Sequence, residues 1–156
     1  MSARKLIAIA SSALVTIAVA GCGGGRQQVS AAELVQKGDA ICRDEQTEFN
    51  RIQAAPLRNA SDGADQAEAL LGAAKDANDG LGDLEPPAPQ KPAYDRYLDA
   101  RNRALRYFQQ GKDAADDQNG RAYSAAQAAV ARGAPQRAKL AKSLGFRVCS
   151  QTSQTP

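Results

Sequence analysis

The chain has 156 residues, room for one domain once an N-terminal leader is set aside. It is rich in alanine, carries 20 Lys/Arg against 17 Asp/Glu, and contains neither tryptophan nor histidine. The absence of histidine removes the commonest general base and the commonest transition-metal ligand together.

Arg4 and Lys5 open the chain as a short positive region, followed by an uncharged apolar run from Leu6 to Val19. Those 14 residues span about 21 Å as a helix, short of a hydrocarbon core of roughly 30 Å, which is the length of a signal-peptide core. The run ends in Val19-Ala20-Gly21-Cys22. This resembles the lipobox of bacterial lipoproteins, an aliphatic residue and two small residues before a cysteine. The resemblance implies that the Cys22 sulfur takes a diacylglyceryl group and that the bond before it is cut, placing the body on the extracytoplasmic face of the membrane. The alternative is an ordinary cleaved leader or an uncleaved anchor, with Cys22 there by chance. Gly23-Gly24-Gly25 then reads as a flexible tether, since glycine leaves the backbone unbiased. From Cys22 to Ser30 it reaches at most about 28 Å.

Ser30-Ala31-Ala32-Glu33 is a capping box, with Val29 and Leu34 placed as a hydrophobic staple. Leu34, Gly38, Ile41, Glu45, Phe49 and Ile52 follow at three- and four-residue steps, one face of a first helix that Pro56 ends. Ser61 or Asp62 can cap a second helix, striped by Ala67, Leu70, Leu71, Ala74, Ala77, Leu81 and Leu84. It stops at the Pro-rich Glu85-Pro86-Pro87-Ala88-Pro89. Pro92 suits the first turn of a third helix, whose inner face is Tyr94, Tyr97, Leu98, Arg101, Leu105 and Phe108 and whose end falls near Asp116. After a turn at Asn119-Gly120, a fourth segment carries Tyr123, Ala126, Val130, Leu140, Ala141 and Leu144, with a kink or break expected around Gly133-Ala134-Pro135. Gly145 fits a left-handed C-terminal cap with Phe146 folded back onto the helix.

No alternating strand pattern occurs, so strands are not expected. The expected fold is all-α, an antiparallel four-helix bundle running up-down-up-down. The expected organisation is a signal peptide over 1–21, the lipidated Cys22 and tether over 22–29, the bundle over 30–149 and a disordered tail over 150–156. An exported chain with Cys22 acylated leaves Cys42 and Cys149, and an oxidising compartment favours one bridge between them; two buried free thiols are the alternative. The bridge suits the bundle, because the first and fourth helices are then neighbours and a segment after the fourth can return to the middle of the first.

The charge is divided. Residues 22–88 hold 6 Lys/Arg and 12 Asp/Glu, and residues 89–156 hold 12 Lys/Arg and 5 Asp/Glu. A basic half can meet anionic lipid or polymer, or it can pack on the acidic half of the same domain. The aspartates at 113, 116 and 117, and those at 76, 79 and 83, read as solvated helix surface rather than metal ligands. Glu45 and Arg101 interrupt apolar seams, which suggests a pair inside the bundle or a contact with a ligand; the rival reading has both at the seam's edge, reaching water. With Tyr94 and Tyr97 they form a candidate pocket for an anionic or sugar-like ligand, although tyrosines at helical spacing also make core.

Lipobox, Ala/Arg-rich texture and the frame "IC … EPPAP … YDRYL … LGFRVC" together resemble small uncharacterised helical lipoproteins of high-GC, actinobacterial-type bacteria. That group brings no assigned activity. The expectation is a non-enzymatic module without cofactor or bound metal, anchored to the membrane by lipid and binding an envelope protein or polymer, with no nucleic-acid partner. The alternative is a small-molecule binding module with a pocket between the helices. A solid core favours the first and a cavity of several hundred Å³ the second.

Overall fold

The computed structural model describes residues 26–151; the leader, the glycine run and Cys22 lie outside them. Four helices make up most of it: α1 (Ala31–Gln53), α2 (Ala60–Gly82), α3 (Lys91–Asp116) and α4 (Gly120–Ser143). The all-α bundle and its alternating direction are as the sequence leads one to expect. Gln66 on α2 donates to the Ile52 carbonyl near the end of α1. Tyr94 at the start of α3 reaches the Leu81 carbonyl at the end of α2, and Gly111 of α3 lies against Ala126 of α4.

The helix ends follow from local chemistry. Ser30 and Glu33 close the capping box in both directions, and the Ser30 amide, then its hydroxyl, hold the Glu33 carboxyl below its ordinary value. Asn59, rather than Ser61 or Asp62, caps α2, accepting from the Asp62 amide at 2.9 Å. Asp62 sits three residues inside the helix and accepts in turn from the Arg58 amide. At the end of α4, Gly145 adopts φ +88°. The Gly145 amide donates to Lys142 and the Phe146 amide to Ala141, both at 3.1 Å, the paired bonds of a Schellman cap. The fourth helix is not interrupted at Gly133-Ala134-Pro135; it runs continuously through Pro135.

Two corrections concern the segments around the helices. Residues Gln27–Gln28 (β1) pair in parallel with Leu84–Glu85 (β2), a strand pair too short to show any alternation. The Gln27 amide donates to Asp83 and the Val29 amide to Glu85, and Val29 is buried. The final residues assigned to a flexible tether are therefore docked on the linker between α2 and α3. At the other terminus, Ser150 bonds the Arg147 carbonyl and the Gln151 amide bonds Val148, so order extends two residues into the expected tail.

The apolar core is lopsided. Val29, Leu34, Leu81, Leu84, Tyr94, Tyr97, Ala141, Leu144 and Phe146 form one cluster at the end of the bundle where β1 docks. Cys42 and Cys149 are joined there, with Cα atoms 5.2 Å apart. Beyond it the buried helix residues are mostly small: Ala67, Ala74 and Ala77 on α2, Ala100, Ala104, Gly111 and Ala114 on α3, and Ala126 on α4, with Ile52 and Leu70 as the larger exceptions. Such residues let α3 approach α2 and α4 closely, and these are the closest-packed pairs. The backbones of α1 and α4 scarcely meet, and the bundle stays open between them.

Candidate functional site

The gap between α1 and α4 is a cavity of about 540 Å³. All four helices line it, with α3 as its floor, and Cys42, Cys149 and Gln151 close the end nearest the core. Its origin is compositional. Alanine and glycine make the contacts that set how the helices approach, and the larger side chains of the same helices turn into the opening. Leu105 and Phe108, read from the sequence as inner face, line this cavity rather than the helix contact. Phe49 and Phe108 meet edge to face across it, ring centroids 5.6 Å apart.

Arg101 forms a polar corner at the core end. Its Nη2 donates to Glu45 Oε1 at 2.7 Å, its Nε to Asn78 Oδ1 at 2.6 Å, and its Nη1 to the Tyr97 hydroxyl at 3.3 Å. The guanidinium carbon stands 5.9 Å from the centre of the Tyr97 ring. The side chains of Arg101 and Glu45 keep only 11% and 15% of their exposure. Of the two readings of this pair, the structure has the buried one: α1 and α3 are joined by an ion pair inside the bundle. Burial works against the Arg101 charge, but Glu45 and Tyr97 outweigh it and hold the guanidinium above its ordinary value. Burial also pushes the Tyr97 phenol up, more than the nearby Arg101 draws it down. Asn102 completes the corner, accepting from Asn78 at 3.3 Å.

The structure thus brings Glu45, Tyr97 and Arg101 together, but it does not bring Tyr94 with them. Tyr94 is 1% exposed, donates to the Leu81 carbonyl at 2.6 Å and packs edge-on against Phe146. It belongs to the core. Tyr97 is equally buried and stands behind Arg101, so the tyrosines support the wall and do not form it. The wall itself is Glu45 and Arg101, together with two residues the sequence did not single out. One is Asn78, whose position four after Ala74 and three before Leu81 places a polar group on an apolar stripe. The other is Arg137 on α4. Its Nη1 and Nη2 both donate to the Val130 carbonyl at 3.2 Å, back along the helix. Gly133 makes this possible, because a β-carbon there would stand 2.8 Å from Arg137 Nη1. Burial draws the Arg137 guanidinium below its ordinary value, and the Arg101 charge adds to that.

Asp39 was also missed. It is 8% exposed on α1 and takes the amides of Arg147, Val148 and Cys149 at 3.0, 2.8 and 3.3 Å. This carboxylate holds the segment after α4 beside the disulfide and so shapes the closed end of the cavity.

The acidic clusters on α2 and α3 are exposed; Asp79 pairs with Lys75 and Asp116 with Lys112. Among the described residues no group of three or more acidic, cysteine or histidine side chains is arranged to hold a metal ion, and no helix is long and apolar enough to cross a membrane. A scan of protein-family models, a search of curated proteins and a search of solved structures match nothing to this chain.

Proposed function

We propose that this chain is a non-enzymatic lipoprotein of the extracytoplasmic membrane face that binds a small molecule in the cleft between α1 and α4. The observation that carries the reading is the cavity of about 540 Å³, within the size range of small-molecule sites, roughly 300–1,000 Å³. Its wall supports the same reading. Aromatic and aliphatic side chains supply area, while Glu45, Asn78 and Arg101 hold one another in fixed orientation, so a ligand meets a polar corner already organised. The cavity favours this reading over the rival, an envelope protein or polymer as partner.

The lipobox supports the anchor. With β1 docked from Gln27, only residues 23–26 lie between the lipidated cysteine and the body, so Cys22 can stand at most about 18 Å from it. The disulfide-bonded end of the bundle would therefore stand close to the bilayer.

Two measurements test this reading. The mass of the protein purified from its native membrane should show a chain beginning at an acylated Cys22. The purified domain should gain thermal stability from members of a small-molecule library, and Ala134→Phe, which fills the cleft from α4, should abolish those gains while the domain stays folded. An unmodified leader would refute the anchor. Gains that persist in the filled variant would refute the cleft as the site.

A further inference from the structure

The proposed cleft has a chemical direction along its length, and this deepens the reading above, on which it rests. Three charged side chains line the wall: Glu45, Arg101 and Arg137. Two of these charges cancel. Arg101 is spent within the protein, its Nε, Nη1 and Nη2 all engaged by Asn78, Tyr97 and Glu45. Arg137 is different: among the described residues it makes no ion pair, and its only hydrogen-bond partner is the Val130 carbonyl. A partly buried cation satisfied by one carbonyl is under-compensated. The cavity wall therefore carries one net positive charge, on α4 and near enough to the Glu45–Arg101 corner for the charges there to act on it. The other end carries the apolar side chains, Phe49, Phe108, Leu105 and Leu70, with the amides of Asn50, Gln53 and Gln127 beside them.

We infer that the cleft binds a monoanionic amphiphile, its head group against the Arg137 guanidinium and its apolar body along the Phe49–Phe108 pair. Each half of such a ligand meets what the wall lacks. The head supplies the acceptors that Arg137 does not find in the protein, in the flat, two-pronged geometry a guanidinium favours. The apolar body covers ring and leucine surface that the bundle leaves open. A neutral sugar would leave both unmatched, and a cation would be repelled.

Three probes with the same chain and different heads test this: dodecanoate, dodecanol and dodecylammonium, measured by calorimetry on the folded domain below their aggregation concentrations. Dodecanoate should bind at least tenfold more tightly than dodecanol, and dodecylammonium more weakly than either. Arg137→Gln should erase the preference for dodecanoate and leave dodecanol affinity within twofold, whereas Arg137→Lys should keep most of the preference. Phe108→Ala should weaken dodecanoate and dodecanol by the same factor. Equal affinity for dodecanoate and dodecanol in the native sequence would overturn the head-group assignment and leave the cleft standing, as would a preference that survives Arg137→Gln. Failure of all three probes to bind, while other small molecules stabilise the domain through the cleft, would overturn the amphiphile. Failure of every small molecule would overturn the cleft itself.

Discussion

The ring of Phe146 lies against the backbone of Gly38: a β-carbon at residue 38 would stand 2.5 Å from Phe146 Cε1 and 2.8 Å from Cζ. Phe146 is 2% exposed and touches both core tyrosines, with ring centroids 5.6 Å from Tyr97 and 6.4 Å from Tyr94. It cannot retreat without opening the main cluster. Gly38→Ala should accordingly destabilise the domain by about 1–3 kcal/mol, even though alanine is the better helix former. Urea unfolding checks the sign, and a stabilised variant would refute the contact.

Asp39, the next residue, accepts three successive amides from the segment after α4. Removing the carboxylate leaves donors without partners beside the core. Asp39→Ala should cost about 2–4 kcal/mol, and Asp39→Asn, which keeps one acceptor oxygen, should cost less. In both variants the amides of Arg147, Val148 and Cys149 should exchange with solvent much faster than in the native sequence. Unchanged exchange at those three positions would contradict the role.

The bridge from Cys42 to Cys149 spans 107 residues. By the loop-entropy estimate its loss costs about 4–5 kcal/mol, a large share of the stability of a small domain. Replacing both cysteines with serine should lower the denaturation midpoint accordingly, without changing the helical content of the folded state. A midpoint independent of the bridge would mean that the core cluster suffices.

The side chains of Arg101 and Glu45 are largely buried. Arg101→Met strands the Glu45 carboxylate and should cost about 3 kcal/mol. The double change Glu45→Gln with Arg101→Met should recover a substantial part of that. The coupling between the two positions, read from a double-mutant cycle, is the quantity to measure; strictly additive effects would show that the pair contributes nothing as a pair.

Burial raises the phenol pKa of both Tyr94 and Tyr97 above the ordinary 10.0. A group whose pKa is higher folded than unfolded keeps its proton in the native state while the unfolded chain releases it. The associated stability is intact below pH 10 and falls as pH rises through the folded values. The domain should therefore lose stability progressively above about pH 10, and Tyr94→Phe should flatten that loss while costing about 1 kcal/mol at neutral pH for the bond to Leu81. A stability curve flat across alkaline pH would contradict the burial of these two hydroxyls.

The helices, their direction, the capping box at Ser30 and the Schellman cap at Gly145 were legible in the sequence because each rests on residues within one or two turns of one another. The disulfide was legible for another reason, since the expected acylation of Cys22 leaves only two cysteines to pair. The cap of α2 was misplaced because Asn59, Ser61 and Asp62 all carry suitable oxygens, and Asp62 in fact acts from inside the helix. Asp39 escaped notice because its partners lie more than a hundred residues away in a segment with no periodicity. The pocket between the helices stood only as an alternative for a related reason. A stripe of alanines has one appearance in the sequence whether the space beyond it is filled or empty, and only the spacing of all four helices decides. Tyr94 and Tyr97 shared one face of α3 as expected, but depth separated them from the site: the floor of the cleft begins one turn further on, at Arg101.

The lopsided core has a mechanical consequence. The segment after α4 is joined to α1 near one end by Cys42–Cys149 and the Asp39 contacts, while along the rest of their length α4 packs on α3 and α1 on α2. Such a pair should open like tweezers with a welded hinge, spreading at the end near Gln53 to admit a guest while the joint stays shut. Backbone amides in the last two turns of α1 should then exchange before those around Cys42, and an occupied cleft should slow the tips far more than the joint.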